Sequence, residues 1–166
     1  VESEGGQEIN GPLLSASRER SLFSADTGTG TDIFPLISLR LKSTHLDATI
    51  HPILTSILCT TNSNFRWIAY MNPTIGGSDN ASWTSITASA IEYDISRDST
   101  NTLTNGVEIA SGYMGTAGDI VAGTIDSKLR LGSAIDGTRD ELVIAIQRAT
   151  GSASENYLAS ATWKEL

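Results

Sequence analysis

His45 and His51 are the only two histidines in this 166-residue chain, and they are the first place to look for chemistry. Imidazole is the side chain that titrates near neutrality, and so serves as a general base or a metal ligand. Their spacing of six residues places both on one face of an uninterrupted strand, and Thr44-His45-Leu46-Asp47 offers a His/Asp pair. The partners that would complete either chemistry are missing. No Gly-x-Ser-x-Gly elbow follows, and no pair of histidines flanks a glutamate in the zincin manner. A structural or surface role is expected for both.

Carboxylates are the next option. Asp136-Gly137-Thr138-Arg139-Asp140-Glu141 gathers acidic groups around one arginine. A glycosidase needs two carboxylates facing one cleft, one of them with a raised pKa. Neighbouring residues in a turn point in different directions and stay wet, so the expectation is a turn in which Arg139 pairs locally with Asp136 or Asp140. Asp94, Asp98 and Asn101 supply oxygens within one connection, but in no recognised calcium-loop register. Gly76-Gly77 lacks the Lys-Ser/Thr and the helix of a phosphate loop, and Asn80-Ala81-Ser82 matches the glycosylation sequon, a triplet that arises often by chance. No catalytic residue, cofactor-binding residue or metal ligand is expected, and no cofactor.

Aromatic rings could stack on sugars, and Trp67, Tyr70, Trp83, Tyr93, Tyr113 and Trp163 are enough to build a platform. Trp67 and Trp163 lie within alternating runs, where core packing is their default. Trp83 lies in the polar stretch Gly76–Ser85 and is the candidate exposed contact residue, although a loop tryptophan more often folds back onto its sheet. Cys59 is the single cysteine, so no intrachain disulfide is possible, and its neighbours Ile57 and Leu58 predict a buried thiol.

Composition narrows the partners. The net charge is −8, with eleven Lys and Arg against nineteen Asp and Glu. Phosphate neutralisation requires the opposite balance, so nucleic acid and anionic membrane are not expected partners. No apolar run approaches the length of a membrane span. There is no signal-peptide pattern, and the start at Val1 is expected to mark a processed product or a fragment.

The elements that must hold these residues show a period of two. Phe65 to Met71 and Ile91 to Ser96 alternate apolar and polar residues, as half-buried strands do, and Val107 to Tyr113 and Leu142 to Gln147 carry similar strand-like runs. Strands are expected at 34–42, 50–60, 65–72, 88–96, 107–114, 141–148 and 157–164, separated by turn-rich gaps and not by helical crossovers. Residues 121–131 read equally as a short helix or a strand. Ile37, Leu39, Leu41, Trp67, Ile91, Ile95, Ile144, Ile146 and Trp163 are the expected core. The whole reads as all-β: an antiparallel β-sandwich of jelly-roll-like character spanning 33–166, preceded by an extended arm or linker at 1–32. The arm carries Leu13, Leu14, Leu22 and Phe23 in a polar, glycine-containing setting. Four such side chains gain too little burial to order the segment alone, so they are the candidate contacts with a neighbouring subunit.

Several segments occur together in a suggestive order. Phe34 to Lys42 runs into Ser43-Thr44-His45-Leu46-Asp47-Ala48, and Asn72-Pro73-Thr74 follows a strand. Ile109-Ala110-Ser111-Gly112-Tyr113, Leu131 to Asp140 and Ala161-Thr162-Trp163-Lys164-Glu165 come after. This set resembles a β-rich domain of virion structural proteins of tailed bacteriophages. The resemblance covers about residues 33–166 and implies a particle component, on head or tail, with no catalytic residues to carry over.

The expected function is therefore non-enzymatic: a structural subunit of a tailed-phage particle, either cementing the capsid or forming part of a tail, baseplate or fibre. Its expected partners are copies of itself, as a trimer, and other virion proteins, and its expected location is the virion, assembled in the host cytoplasm. Low cysteine content and symmetric self-assembly suit that role. The alternative is a carbohydrate-binding module for a host surface glycan.

Overall fold

The structure, a computed structural model, describes residues 11–21, 32–59, 64–114, 120–123, 128–149 and 156–166. Thirteen strands follow in order: β1 (Leu13–Ser21), β2 (Ile33–Leu41), β3 (Asp47–Cys59), β4 (Phe65–Met71), β5 (Thr74–Gly76), β6 (Thr84–Ser85), β7 (Ile91–Asp94), β8 (Thr102–Thr104), β9 (Val107–Met114), β10 (Ile120–Gly123), β11 (Leu129–Gly132), β12 (Glu141–Arg148) and β13 (Asn156–Glu165). Every ladder is antiparallel. No helix occurs among the described residues.

The strands form a β-sandwich. The first sheet runs β1-β13-β3-β10, with β11 also on β3; the second runs β6-β7-β2-β12-β4-β9; β5 and β8 make a separate ribbon. The β10 and β11 segments lie along two halves of the long β3, Ile120 opposite Leu58 and Leu129 opposite Ile50. Together they act as one interrupted strand. Following β1, β2, β3, β4, β9, β10/β11, β12 and β13, the chain changes sheet at every step except the β4–β9 hairpin pair. That winding is the jelly roll.

Alternation builds the core. Leu39, Ile37 and Phe34 on β2, with Leu142, Ile144 and Ile146 on β12, face Trp163, Ala161, Ala159 and Tyr157 of β13 across the sandwich, all buried. Phe65 meets Tyr157 edge-to-face at 4.8 Å, an arrangement that suits the ring quadrupoles. Of the expected core residues, all are buried except Ile95, which is half-buried against the same cluster. Strand β12 is buried on both faces: Val143 and Ala145 pack outward with Leu103, Ile33, Tyr70 and Ile75, under the β5–β8 ribbon.

Two expectations change, the first and third below, and a reading left open between helix and strand is decided as strand. First, Leu13–Ser21, placed by the sequence in an arm outside the domain, is the first strand of the jelly roll, paired along its length with β13 of the same chain. Its inward positions are Leu14, Ala16 and Arg18, and the charged third member breaks the apolar alternation that marks other strands. Second, the described parts of 121–131 are strand and not helix. Third, the alternation of 107–113 does not hold one face. The β4–β9 register shifts between Ala69 and Tyr70, so Ala69 faces Ala110 while Tyr70 faces Glu108. The extra residue, Ile109, reverses the faces on either side of it, and Tyr113 emerges 73% exposed.

Candidate functional site

The densest polar constellation sits on the outer face of the second sheet, beneath the connection from Gly77 to Asn101. Arg97 is 2% exposed. Its guanidinium forks onto Asp79, Nε to Oδ1 at 2.8 Å and Nη2 to Oδ2 at 2.9 Å. Nη1 donates to Ser38 Oγ at 2.8 Å and to Glu141. A buried guanidinium persists only when its donors are matched in this way. The bond from Arg97 holds the Asp79 carboxyl below its ordinary value, against the opposing effect of burial. Burial disfavours the charge on Arg97 itself, but its bonds to Asp79 and Glu141 outweigh that and raise its pKa.

Beside it, Glu92 accepts from Arg40 Nε at 2.6 Å and from Arg139 Nη1 at 2.9 Å. Arg139 also donates to the Leu41 carbonyl at 3.0 Å. It therefore bonds to β7 and β2, in place of the local pairing with Asp136 or Asp140 read from its neighbours. Trp83 is half-buried, with the Arg40 guanidinium 3.8 Å above its ring and that of Arg97 at 5.5 Å. The candidate exposed contact thus folds back and is covered by cations.

The remaining candidates hold structure in place. Exposed His45 lies in the turn before β3, its Nδ1 3.0 Å from Thr44 Oγ1, while His51 lies on β3 opposite Lys164. The two do not share a strand. Asp136 is exposed and accepts from the Thr138 N–H at 2.9 Å; that bond and the Thr138 hydroxyl lower its pKa. Asp94 accepts from Ser82 N–H at 2.8 Å and Ser96 N–H at 3.0 Å, Asp98 from Thr100 and from Asn80 Nδ2 at 2.7 Å. Asn101 is buried and donates to the Ser78 carbonyl at 2.8 Å. Their oxygens are taken up fastening the connection. Among the described residues no group of three or more His, Cys, Asp or Glu could hold a metal ion. The side chain of Cys59 lies outside the described residues.

Two recesses open on the surface. One, of about 530 Å³, is lined by Asn72, Pro73, Ser133, Arg139, Asp140 and Glu141. Its polar groups are mutually satisfied: Asp140 accepts from Asn72 Nδ2 at 2.7 Å and Gly132 N–H at 2.8 Å, and Glu141 N–H reaches Asn72 Oδ1 at 2.9 Å. The other, of about 360 Å³, lies on the first sheet among Ser17, Ser56, Leu58, Leu158 and Ser160.

That first-sheet face has a regular pattern. Ser17, Ser160 and Ser56 stand side by side across β1, β13 and β3, with Ser56 and Ser160 hydroxyls 2.6 Å apart. Leu158 and Leu58 form the next row. Ser15 and Thr162 form the row on the other side, and 64% exposed Leu13 follows beyond them. The β1 member of the Leu158 row is Glu19, so these three middle rows hold one charged residue, on a chain of net charge −8. Of the four candidate subunit contacts, Leu13 is exposed here and Leu14 packs on the chain's own core; Leu22 and Phe23 lie outside the described residues.

The sequence did not reveal Arg18, Arg97 or Glu165 as organising residues. Arg18 is buried and donates to the Leu36 carbonyl at 2.8 Å, the Pro35 carbonyl at 3.3 Å and the Arg97 carbonyl. Glu165 accepts from Ser89 Oγ and from Ala90 N–H at 3.0 Å, tying β13 to the turn before β7. Each departs from the apolar alternation of its segment, and that departure is the signal available in the sequence. No family model, no curated protein and no solved structure matches this chain.

Proposed function

We propose that this chain is a non-enzymatic structural subunit of a tailed-phage particle, acting in the virion through contacts with copies of itself and with other particle proteins. The observation that carries the reading is the outer face of the first sheet, where rows of serine, threonine and leucine, with Glu19 the one charged residue among them, surround a recess on an acidic chain. Such a face packs against another protein at little desolvation cost, whereas surface charges elsewhere keep copies apart. The jelly roll is an architecture used by capsid proteins and by lectins, so the fold is compatible and not decisive.

The glycan-binding alternative draws less support. It calls for two or more aromatic faces in one groove. Among the described residues Tyr113 is the one largely exposed aromatic, and Trp83 lies under Arg40.

Antibody labelling of purified particles by electron microscopy tests the proposal. Label at symmetric positions on the particle is expected, and purified particles free of the chain would overturn it. Leu158→Glu should leave the far-UV circular dichroism unchanged while reducing incorporation at least tenfold.

A further inference from the structure

The strand β1 ends the first sheet. Among the described residues nothing pairs its outer edge. It is nine residues long and its register with β13 has no shift, so it presents a regular row of backbone donors and acceptors. The edge at the other end of the second sheet, β9, carries a bulge that breaks such a row.

The residues of β1 are self-complementary about Ser17, the register that pairs all nine of them. Its charged residues, Arg18, Glu19 and Arg20, fall after the central Ser17, and Leu13, Leu14, Ser15 and Ala16 before it are uncharged. An antiparallel copy centred on Ser17 lays each charged half along an uncharged half. Ser15 then falls opposite Glu19, Leu14 opposite Arg20, and Ser17 opposite itself. Centring on Arg18 instead sets two arginines face to face, which is disfavoured. The strand also sums to a net charge of +1, on a chain whose total is −8, so copies repel least where their β1 edges meet.

We propose that two copies join through β1, antiparallel about a two-fold axis at Ser17, so that their first sheets become one continuous sheet. This rests on reading the chain as a self-associating subunit, and it replaces the expected three-fold with a two-fold contact at this edge. Backbone bonds supply the ladder, as in other cases of strand addition. The serine, threonine and leucine rows of the two copies become contiguous, with each Glu19 beside Ser15 of the other copy, which doubles the face offered to the rest of the particle.

Sedimentation equilibrium of the full chain tests this through register. Ser15 is exposed, so changing it spares the fold. Ser15→Glu sets like charges opposite Glu19 and should raise the dimer dissociation constant at least tenfold, while Ser15→Lys should leave it unchanged or lower it. Ser17→Cys in a Cys59→Ala background should cross-link two copies on oxidation, because directly opposed strand residues come within disulfide range. Equal effects of the two Ser15 variants, or no cross-link, would overturn the β1 pairing. If association then persists and yields to Leu158→Glu, the subunit reading stands and the edge assignment alone fails. A chain that stays monomeric also overturns the pairing, and leaves particle labelling as the separate test of the subunit reading.

Discussion

Arg97 and Asp79 meet through two nearly equal bonds, 2.8 and 2.9 Å, although Asp79 lies on a connection and Arg97 is almost wholly buried. The fork fixes the connection over the second sheet, because the same guanidinium also holds Ser38 of β2 and Glu141 of β12. One side chain thus joins a loop to two strands.

Removing that side chain should be costly. Arg97→Ala leaves half-buried Glu141 and the more exposed Asp79 without their cation, and losing such charge-assisted hydrogen bonds costs about 1.5–3 kcal/mol. Urea unfolding should show a lower midpoint with an unchanged slope.

Acid should loosen the same contact. Asp79 titrates lower in the folded chain than its ordinary 3.8, so the folded state binds fewer protons than the unfolded one as pH falls. Its contribution is complete above about pH 5 and is lost as pH drops through the depressed folded value. Unfolding midpoints measured across this range should fall less steeply for Asp79→Asn than for the parent chain.

Gly112 should not accept a side chain. A Cβ there would lie 2.5 Å from Trp67 Nε1, and Trp67 is part of the core. Gly112→Ala should displace the indole and cost about 1–3 kcal/mol. Near-UV circular dichroism and tryptophan fluorescence will register the displacement.

Trp83 should matter for stability more than for contact. Trp83→Ala removes the ring beneath Arg40, a loss of about 0.5–2 kcal/mol for the cation–π contact. The melting temperature should fall, while self-association measured by sedimentation stays as in the parent.

The parts of the fold that alternate cleanly were legible in the residues. In Phe65 to Met71, Phe65, Trp67 and Ala69 are buried where a period of two puts them, and the continuous apolar run Leu142 to Ile146 is buried on both faces of its sheet. Where a buried position holds charge, the pattern disappears: β1 was missed because Arg18 occupies an inward site, satisfied by carbonyls that are distant in sequence. The bulge at Ile109 was equally invisible, since one extra residue leaves composition untouched and changes only the pairing. The short β5, β6 and β8 owe their existence to packing against the sheet and the connection, and carry little period of their own. The polar network was illegible for a further reason. Arg97 and Arg139 each have acidic neighbours in sequence, but their bonds run to residues 18 to 98 positions away.

The position of β13 between β1 and β3 has a kinetic consequence. Leu13 lies opposite Lys164, and Leu158 opposite Leu58, so the first sheet is assembled from the two ends of the described chain and its middle. During synthesis β1 and β3 emerge long before the strand that must lie between them. β3 can pair with β10 and β11 beforehand, but β1 has no described neighbour until β13 leaves the ribosome, and contacts of such long separation form slowly. The first sheet is therefore completed only once β13 is made, and in the interval the waiting β1 is the segment that a chaperone would be called on to shield.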